Sequence, residues 1–293
     1  MNYNATSIRR RTSLLIIALG DFAMSFGQSK SLLAGTEVGA QLKSAAVKEN
    51  TWAYGKDPAK EDVSKRDFNS KHFKNDDGTY TGVFSAGIIH YEDGGKYYDI
   101  DANIQPNLLG NHAAYSYVNS TNLMKSYFAN HSSGGLLSVS TEGEVKEFLN
   151  TRFYWEKNGT AFNSISSTDV ASTVDGNKIT YKNLYPAVDA QYTLSAGRRE
   201  LNYIINDASI LSSVPSGADY MVFAEDIQID ANWSYELSQE GTVILKDISG
   251  RMVYEYESPV VGDGFGAANY RPLLADNNIA DIQAQRNGNT LRS

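Results

Sequence analysis

Between Ile179 and Asn206 apolar and polar residues alternate more regularly than anywhere else in the chain. Val188, Ala190, Tyr192 and Leu194 are separated by Asp189, Gln191, Thr193 and Ser195. Successive side chains of a strand point to opposite faces, so this period of two predicts a strand with one buried and one wet face. Ser195-Ala196-Gly197-Arg198 predicts a turn, and Leu201, Tyr203 and Ile205 resume the alternation on the way back. The stretch reads as a β-hairpin entered through a Tyr185-Pro186 corner, with Asp189 as a hydrogen-bonded polar residue just after it.

The same grammar recurs from Lys71 onward. Tyr80, Gly82 and Phe84 alternate behind an Asn75-Asp76-Asp77-Gly78 turn, and Ile88–Tyr91 and Lys96–Ile100 flank a Glu92-Asp93-Gly94-Gly95 turn. Further strands are predicted at Ala113–Val118, Asn122–Phe128, Leu136–Ser140, Arg152–Glu156, Ala161–Ile165, Val170–Val174 and Ile179–Tyr181. Beyond the hairpin come Tyr220–Phe223, Ile227–Ile229, Tyr235–Leu237, and the pair Val243–Lys246 and Met252–Tyr256. Turn signals every eight to twelve residues, with no amphipathic run of helical length, predict an all-β protein. An antiparallel sandwich-like fold is expected, as one large or two consecutive β domains over 71–168 and 169–262. Residues 263–293, rich in Gly and Asn, read as a tail or linker.

The N-terminal segment follows another pattern. Arg9-Arg10-Arg11, the apolar run Leu14–Leu19, and small residues at Ser25 and Gly27 predict a secretory signal peptide over 1–27, cut before Gln28. The apolar run is too short to span a bilayer and Asp21 interrupts its end, so no membrane span is expected after cleavage. Residues 28–70 carry little pattern and read as a flexible leader. Leu32, Leu33, Leu42 and Val47 allow at most a short helix there, because Gly35 and Gly39 fall inside it.

Composition narrows the function classes. With no cysteine there is neither a disulfide framework nor a thiolate metal site or nucleophile. The net charge is −8, and removing residues 1–27 makes the chain more acidic, so nucleic acid and anionic membrane surfaces are not expected partners. The 19 Tyr and 24 Gly suit many short strands joined by glycine turns.

No catalytic constellation is written in the chain. There is no Gly-x-Ser-x-Gly elbow, and His72, His90, His112 and His131 are scattered without zinc-helix spacing. His90 reads as a packed residue. Asp99, Asp101 and Asn103 begin like a calcium loop, but a helical calcium hand needs Gly and Glu where Ile104 and Gly110 stand. A looser calcium site at these three residues stays open, as do weaker ones at Asp226 with Asp230 and at Asp263. Glu92, Glu156, Asp189 and Glu200 are acids from which a hydrolytic pair could be drawn, and nothing in the sequence favours any of them. Trp52, Trp155 and Trp233, with Tyr97, Tyr98, Tyr115 and Tyr117, are side chains of the kind that stack on sugars. Alternation inside strands assigns most of them to the core. Trp155 and Trp233 are the ligand-binding candidates, with a cell-surface glycan as the partner; no cofactor is implied.

Three ordered phrases carry a family resemblance: DDGTYTGVFSAGIIHYEDGGKYYDID at Asp76–Asp101, preceded by Ser70-Lys71-His72-Phe73; NSTNLMKSYF at Asn119–Phe128; and ITYKNLYPAVDAQYTL at Ile179–Leu194, followed by DISGRMVYEYESPVVGD at Asp247–Asp263. Together they resemble the N-terminal β-rich region of secreted bacterial Rhs/YD-repeat proteins of the wall-associated type and related exported surface proteins. The resemblance covers roughly Ser70 to Asp263. It implies a non-catalytic scaffold or presentation domain, secreted or at the bacterial cell surface, upstream of an effector or repeat region. The chain departs from the family in carrying no YD repeats and no wall-anchoring motif. The alternative reading is a carbohydrate-binding module, attached or not to a hydrolase; a third is a hydrolase using an unrecognised carboxylate pair.

Overall fold

The computed structural model describes residues 56–108, 110–158, 160–207, 216, 218, 220–238 and 242–257, together with backbone strand stretches toward both ends. Of these stretches, Thr6–Leu14 runs along Tyr220–Ile229 and Phe22–Phe26 along Arg198–Ile205. The expected cleavage site, the leader up to residue 55 with Trp52, and Asp263 lie outside the described residues.

The protein is all-β, with antiparallel sheets and no α-helix among the described residues. One sheet is centred on the long Glu144–Lys157 strand. Tyr220–Ile229 pairs on one side of it, and Leu136–Val139 and Thr160–Ser166 share the other. Lys125–Phe128, Tyr117–Asn119 and Gln105–Pro106 extend the sheet outward from Leu136–Val139. The second sheet is a meander of Ser172–Asp175, Lys178–Tyr185, Val188–Ser195 and Arg198–Ile205.

The inner faces of the two sheets make one core. Tyr181, Val188, Ala190, Tyr192, Leu194, Leu201, Tyr203 and Ile205 meet Phe128, Leu136, Leu149, Phe153, Trp155, Met221 and Phe223 across it. Phe223 sits between a ring from each sheet, its centroid 5.1 Å from Phe153 and 4.5 Å from Tyr203, with both rings near parallel to it. The Tyr181 hydroxyl crosses the sandwich to donate to the Ala129 carbonyl at 2.7 Å, satisfying a polar group that burial would otherwise leave unpaired. Regions 71–168 and 169–262 therefore share strands and core: Tyr220–Ile229 belongs to the sheet of Glu144–Lys157. A smaller sheet of Ser234–Leu237, Val243–Lys246 and Met252–Tyr256 packs Trp233, Leu245, Tyr254 and Tyr256 over Val145, Ile227 and Ile229.

The hairpin foreseen from alternation forms with Val188 opposite Ile205 and Ser195 opposite Arg198. Gly197 takes φ +66° in its two-residue loop, and a Cβ there would lie 2.1 Å from Ile88 Cδ1. At the other end the chain turns through Pro186 and Ala187, the latter at φ +58°. Proline followed by a positive-φ residue is the arrangement of a type II turn. The pairing shifts register between Tyr181 and Tyr185, where Asn183 has φ +54°. Asp189 Oδ1 accepts the Asn183 amide at 2.7 Å, so it bonds the corner as expected.

Two hairpins precede the sandwich, Ser70–Lys74 with Tyr80–Phe84 and His90–Asp93 with Lys96–Asp99. The end of the stretch read as a flexible leader is folded onto them, which corrects that expectation for residues 56–70. Its charges find partners: Arg66 makes a two-pronged bond to Glu61 at 2.7 and 3.0 Å, and Glu61 bridges to Phe73 of the first hairpin.

Candidate functional site

Glu147 and Arg199, like Glu225, stand in inward-facing strand positions. Along Glu144–Lys157, Val145, Glu147 and Leu149 point into the protein, and along Arg198–Ile205, Arg199 precedes Leu201, Tyr203 and Ile205 on the buried face. The two charges meet at the mouth of the sandwich. Arg199 Nη2 bonds Glu147 Oε1 and also donates to the Tyr254 hydroxyl at 2.5 Å, while Nη1 donates to Ser138 Oγ at 2.6 Å. Glu147 accepts in addition from Tyr256 at 2.7 Å and from Tyr192 at 3.3 Å. The cluster thus ties both large sheets and the small one together.

Burial by itself would lower the Arg199 pKa. The Glu147 carboxylate and the surrounding Tyr254, Tyr256 and Tyr192 phenols outweigh it and hold the guanidinium more firmly charged than usual. Tyr192 is driven well above the ordinary phenol range, first by burial and then by the nearby Glu147 and Glu225 carboxylates. The Tyr192 phenol therefore stays protonated at physiological pH and donates to Glu147.

A cleft of about 770 Å³ opens above this cluster, with Ser126, Arg199 and Tyr254 lining it and Met124 and Met252 in its walls. Asn122 fixes one wall by accepting from the Gly197 amide at 2.8 Å and donating to the Ser195 carbonyl at 2.9 Å. The cations of the wall carry acid partners: Arg198 meets Glu257 at 3.0 Å, and Arg251 meets Asp247 at 3.1 Å and Glu142 at 3.3 Å. Volume and mixed lining are those of a small-molecule pocket, but its strongest charge is already neutralised from within.

A second ionic cluster joins the two N-terminal hairpins. Asp99 receives Arg66 at 3.0 Å and Lys71, and lies 3.4 Å from Nε2 of fully buried His90. His90 Nδ1 lies 2.6 Å from the Asp67 carbonyl, to which it donates. Burial would raise the Asp99 pKa, but His90, Lys71 and Arg66 together hold it far below the ordinary carboxylate range.

The residues singled out from the sequence fall as follows. Trp155 is 4% exposed, edge-on to Phe153 in the main core, and Trp233 is 8% exposed under the small sheet. Neither ring has a face open to a sugar, which corrects their expected role as platforms. The reason is strand alternation, which turns Trp155 inward beside Phe153 and Met221. Asp99, Asp101 and Asn103 are adjacent but do not converge. Asp99 is occupied by cations, while Asp101 Oδ1 accepts the Asn103 amide at 2.9 Å and its carbonyl accepts from Asn119 and Thr121. Among the described residues no three His, Asp or Glu side chains gather as a metal-ligand set. Asp230 Oδ1 accepts the Asn232 amide at 2.9 Å, Glu156 is buried, and Glu92 lines the cleft.

Glu147 and Arg199 were missed from the sequence, although each sits two residues from apolar neighbours on the same strand face. That in-phase charge was the available signal. Comparison with family models, curated proteins and solved structures returns no match.

Proposed function

We propose that this chain is an exported, non-catalytic β-scaffold that presents a neighbouring region at the bacterial surface, as in the Rhs-like proteins it resembles. The observation that carries this reading is the Arg199–Glu147 cluster. Two buried side chains of opposite charge, from different sheets, bond one another and the phenols of a third sheet, which is what a rigid presenting module requires. A catalytic dyad would instead keep one lone pair or proton directed at open space. Signal cleavage before Gln28 is part of the proposal. It would take Thr6–Leu14 and Phe22–Phe26 away from the edges of Tyr220–Ile229 and Arg198–Ile205.

The test is expression of the full reading frame in a bacterial host, with N-terminal sequencing of the protein recovered from outside the cytoplasm. A mature terminus at Gln28, and no turnover across a panel of glycans, peptides and esters, is the expected result. Turnover abolished by one Asp or Glu substitution would overturn the non-catalytic reading, and retention in the cytoplasm with Met1 intact would overturn export.

A second reading, a carbohydrate-binding module, is favoured by one specific observation. Phe84 and Tyr80 leave their rings open on a hairpin surface, 70% and 44% exposed.

A further inference from the structure

Arg198–Ile205 is paired on one side with Val188–Ser195 and on the other with the backbone of Phe22–Phe26. Beyond Phe22–Phe26 lies Val260–Gly262, the outermost strand of this sheet. Both of these last pairings are antiparallel, so Val260–Gly262 runs parallel to Arg198–Ile205 with a single strand between them. The registers put Ser25 between Asn202 and Val260, and Met24 between Tyr203 and Val261. The approach to Val260 is fixed as well. Tyr256 is buried and bonds Glu147, and Glu257 meets Arg198, the first residue of the inner strand, at 3.0 Å.

We infer that, once residues 1–27 are removed, Val260–Gly262 moves inward by one strand and pairs directly with Arg198–Ile205. The inference rests on signal cleavage before Gln28 and adds what becomes of the edge that cleavage bares. Without Phe22–Phe26 a row of backbone N–H and C=O groups faces water, and such an edge is a template for another strand. The nearest strand belongs to the same chain. A shift of about 4.8 Å, one strand spacing, closes the gap. The short tether from Glu257 holds Val260 at an effective concentration of about millimolar, ahead of a strand from a second copy. Val260 and Val261 are β-branched, as strands favour, and Pro259, which has no N–H to give, stands just before the strand begins. The outgoing chain is thereby fixed to the sandwich only after the signal segment has gone.

The experiment exploits a chain without cysteine. A protease site is placed between Gly27 and Gln28 of the full chain, and Asn202→Cys with Val260→Cys is oxidised mildly before and after cutting. Across the intervening strand the two Cα atoms are about 10 Å apart, twice the strand spacing and beyond the roughly 4.4–6.8 Å that a disulfide spans. Expected is a disulfide within one chain only after the cut, read as the loss of two hydrogens in mass. Asn202→Cys with Ser25→Cys should close in the uncut chain, and unchanged melting temperatures verify that both variants fold. In the cut chain without substitutions, the edge-facing amides of Arg198–Ile205 should stay protected from hydrogen exchange. Introduced thiols that stay reduced after the cut, a link between two copies, or a 1–27 peptide that remains bound would each overturn strand replacement. The cut is made in vitro, so these outcomes are separate from export, which retention of Met1 in the host overturns by itself.

Discussion

Two ionic clusters of similar composition hold this protein together, and they differ in water. Arg199 and Glu147 are buried at the mouth of the sandwich, bonded to one another and to Ser138, Tyr192, Tyr254 and Tyr256. Asp99, Arg66 and Lys71 sit at the seam of two small hairpins, where the Asp99 side chain is 57% exposed. In the sealed cluster the cost of stripping water from two ions was incurred on folding, so the attraction matters chiefly because breaking it leaves a bare charge behind. At the seam water screens the attraction on the Asp99 side, and Arg66 and Lys71 keep Glu61 as a partner if Asp99 is lost. One cluster should therefore behave as a weld and the other as a trim.

The largest effect should come from breaking the weld on one side. Arg199→Ala leaves Glu147 buried without its cation and should lower stability by about 3–5 kcal/mol in denaturant unfolding. Asp99→Ala should cost no more than about 1 kcal/mol. Equal losses at the two sites would abolish the distinction. Replacing both members, Arg199→Met with Glu147→Leu, should recover much of the loss, although Tyr192, Tyr254 and Tyr256 would then have lost acceptors or donors.

Next in size is the backbone that backs the weld. Gly135 has φ +68°, and a Cβ there would lie 2.1 Å from the Glu147 carbonyl oxygen. Gly135→Ala should cost about 2–3 kcal/mol, because both the dihedral and the approach of two strands are at stake. Gly78, at φ +83° in the seam-side hairpin turn, has open space around its Cβ position, and Gly78→Ala should cost about 1 kcal/mol. Matching thermal shifts for the two variants would show that only the dihedral matters.

Smaller again is the corner at Asp189. Its carboxylate bonds the Asn183 amide where a register shift leaves that group without a ladder partner, but the bond is open to water. Asp189→Ala should cost about 1 kcal/mol, the ordinary net worth of one hydrogen bond. A loss beyond about 3 kcal/mol would make the corner as critical as the sealed cluster.

The same contrast explains what could be read from the sequence. Val188–Ser195, Val243–Lys246 and Met252–Tyr256 were legible because their alternation is uninterrupted and one face of each is buried. The first half of Glu144–Lys157 carries no legible strand pattern, and the pattern of Tyr220–Ile229 predicts two strands where there is one. In both the interruption is a glutamate on the inward face, Glu147 or Glu225, both buried. A charge in phase with buried neighbours looks like a loop until its partner is known, and Arg199 lies 52 residues from Glu147. Burial of the tryptophans was legible only as a tendency. Tyr80, Gly82 and Phe84 announced a strand, yet which face of a two-stranded hairpin meets the protein is decided by what packs on it. Here Phe73 is turned inward and Phe84 is left in water.

The finest effect separates the clusters by pH. Asp99 has its pKa depressed in the folded protein, so its contribution is complete above the pKa it has when unfolded and is lost as pH falls through the folded value. The window thus opens near pH 4, the ordinary carboxylate value, and extends into strong acid. Wild type and Asp99→Asn should differ slightly in melting temperature at neutral pH and converge as pH is lowered through this window. Salt at about 0.5 M should narrow the neutral-pH gap, since more than half of the Asp99 side chain is open to counterions. The stability loss of Arg199→Ala should change less in the same salt, because the Arg199 and Glu147 side chains are almost wholly shielded from solvent. A gap at Asp99 that survives both acid and salt would mean that its carboxylate acts through packing rather than charge, and the seam would then resemble the weld.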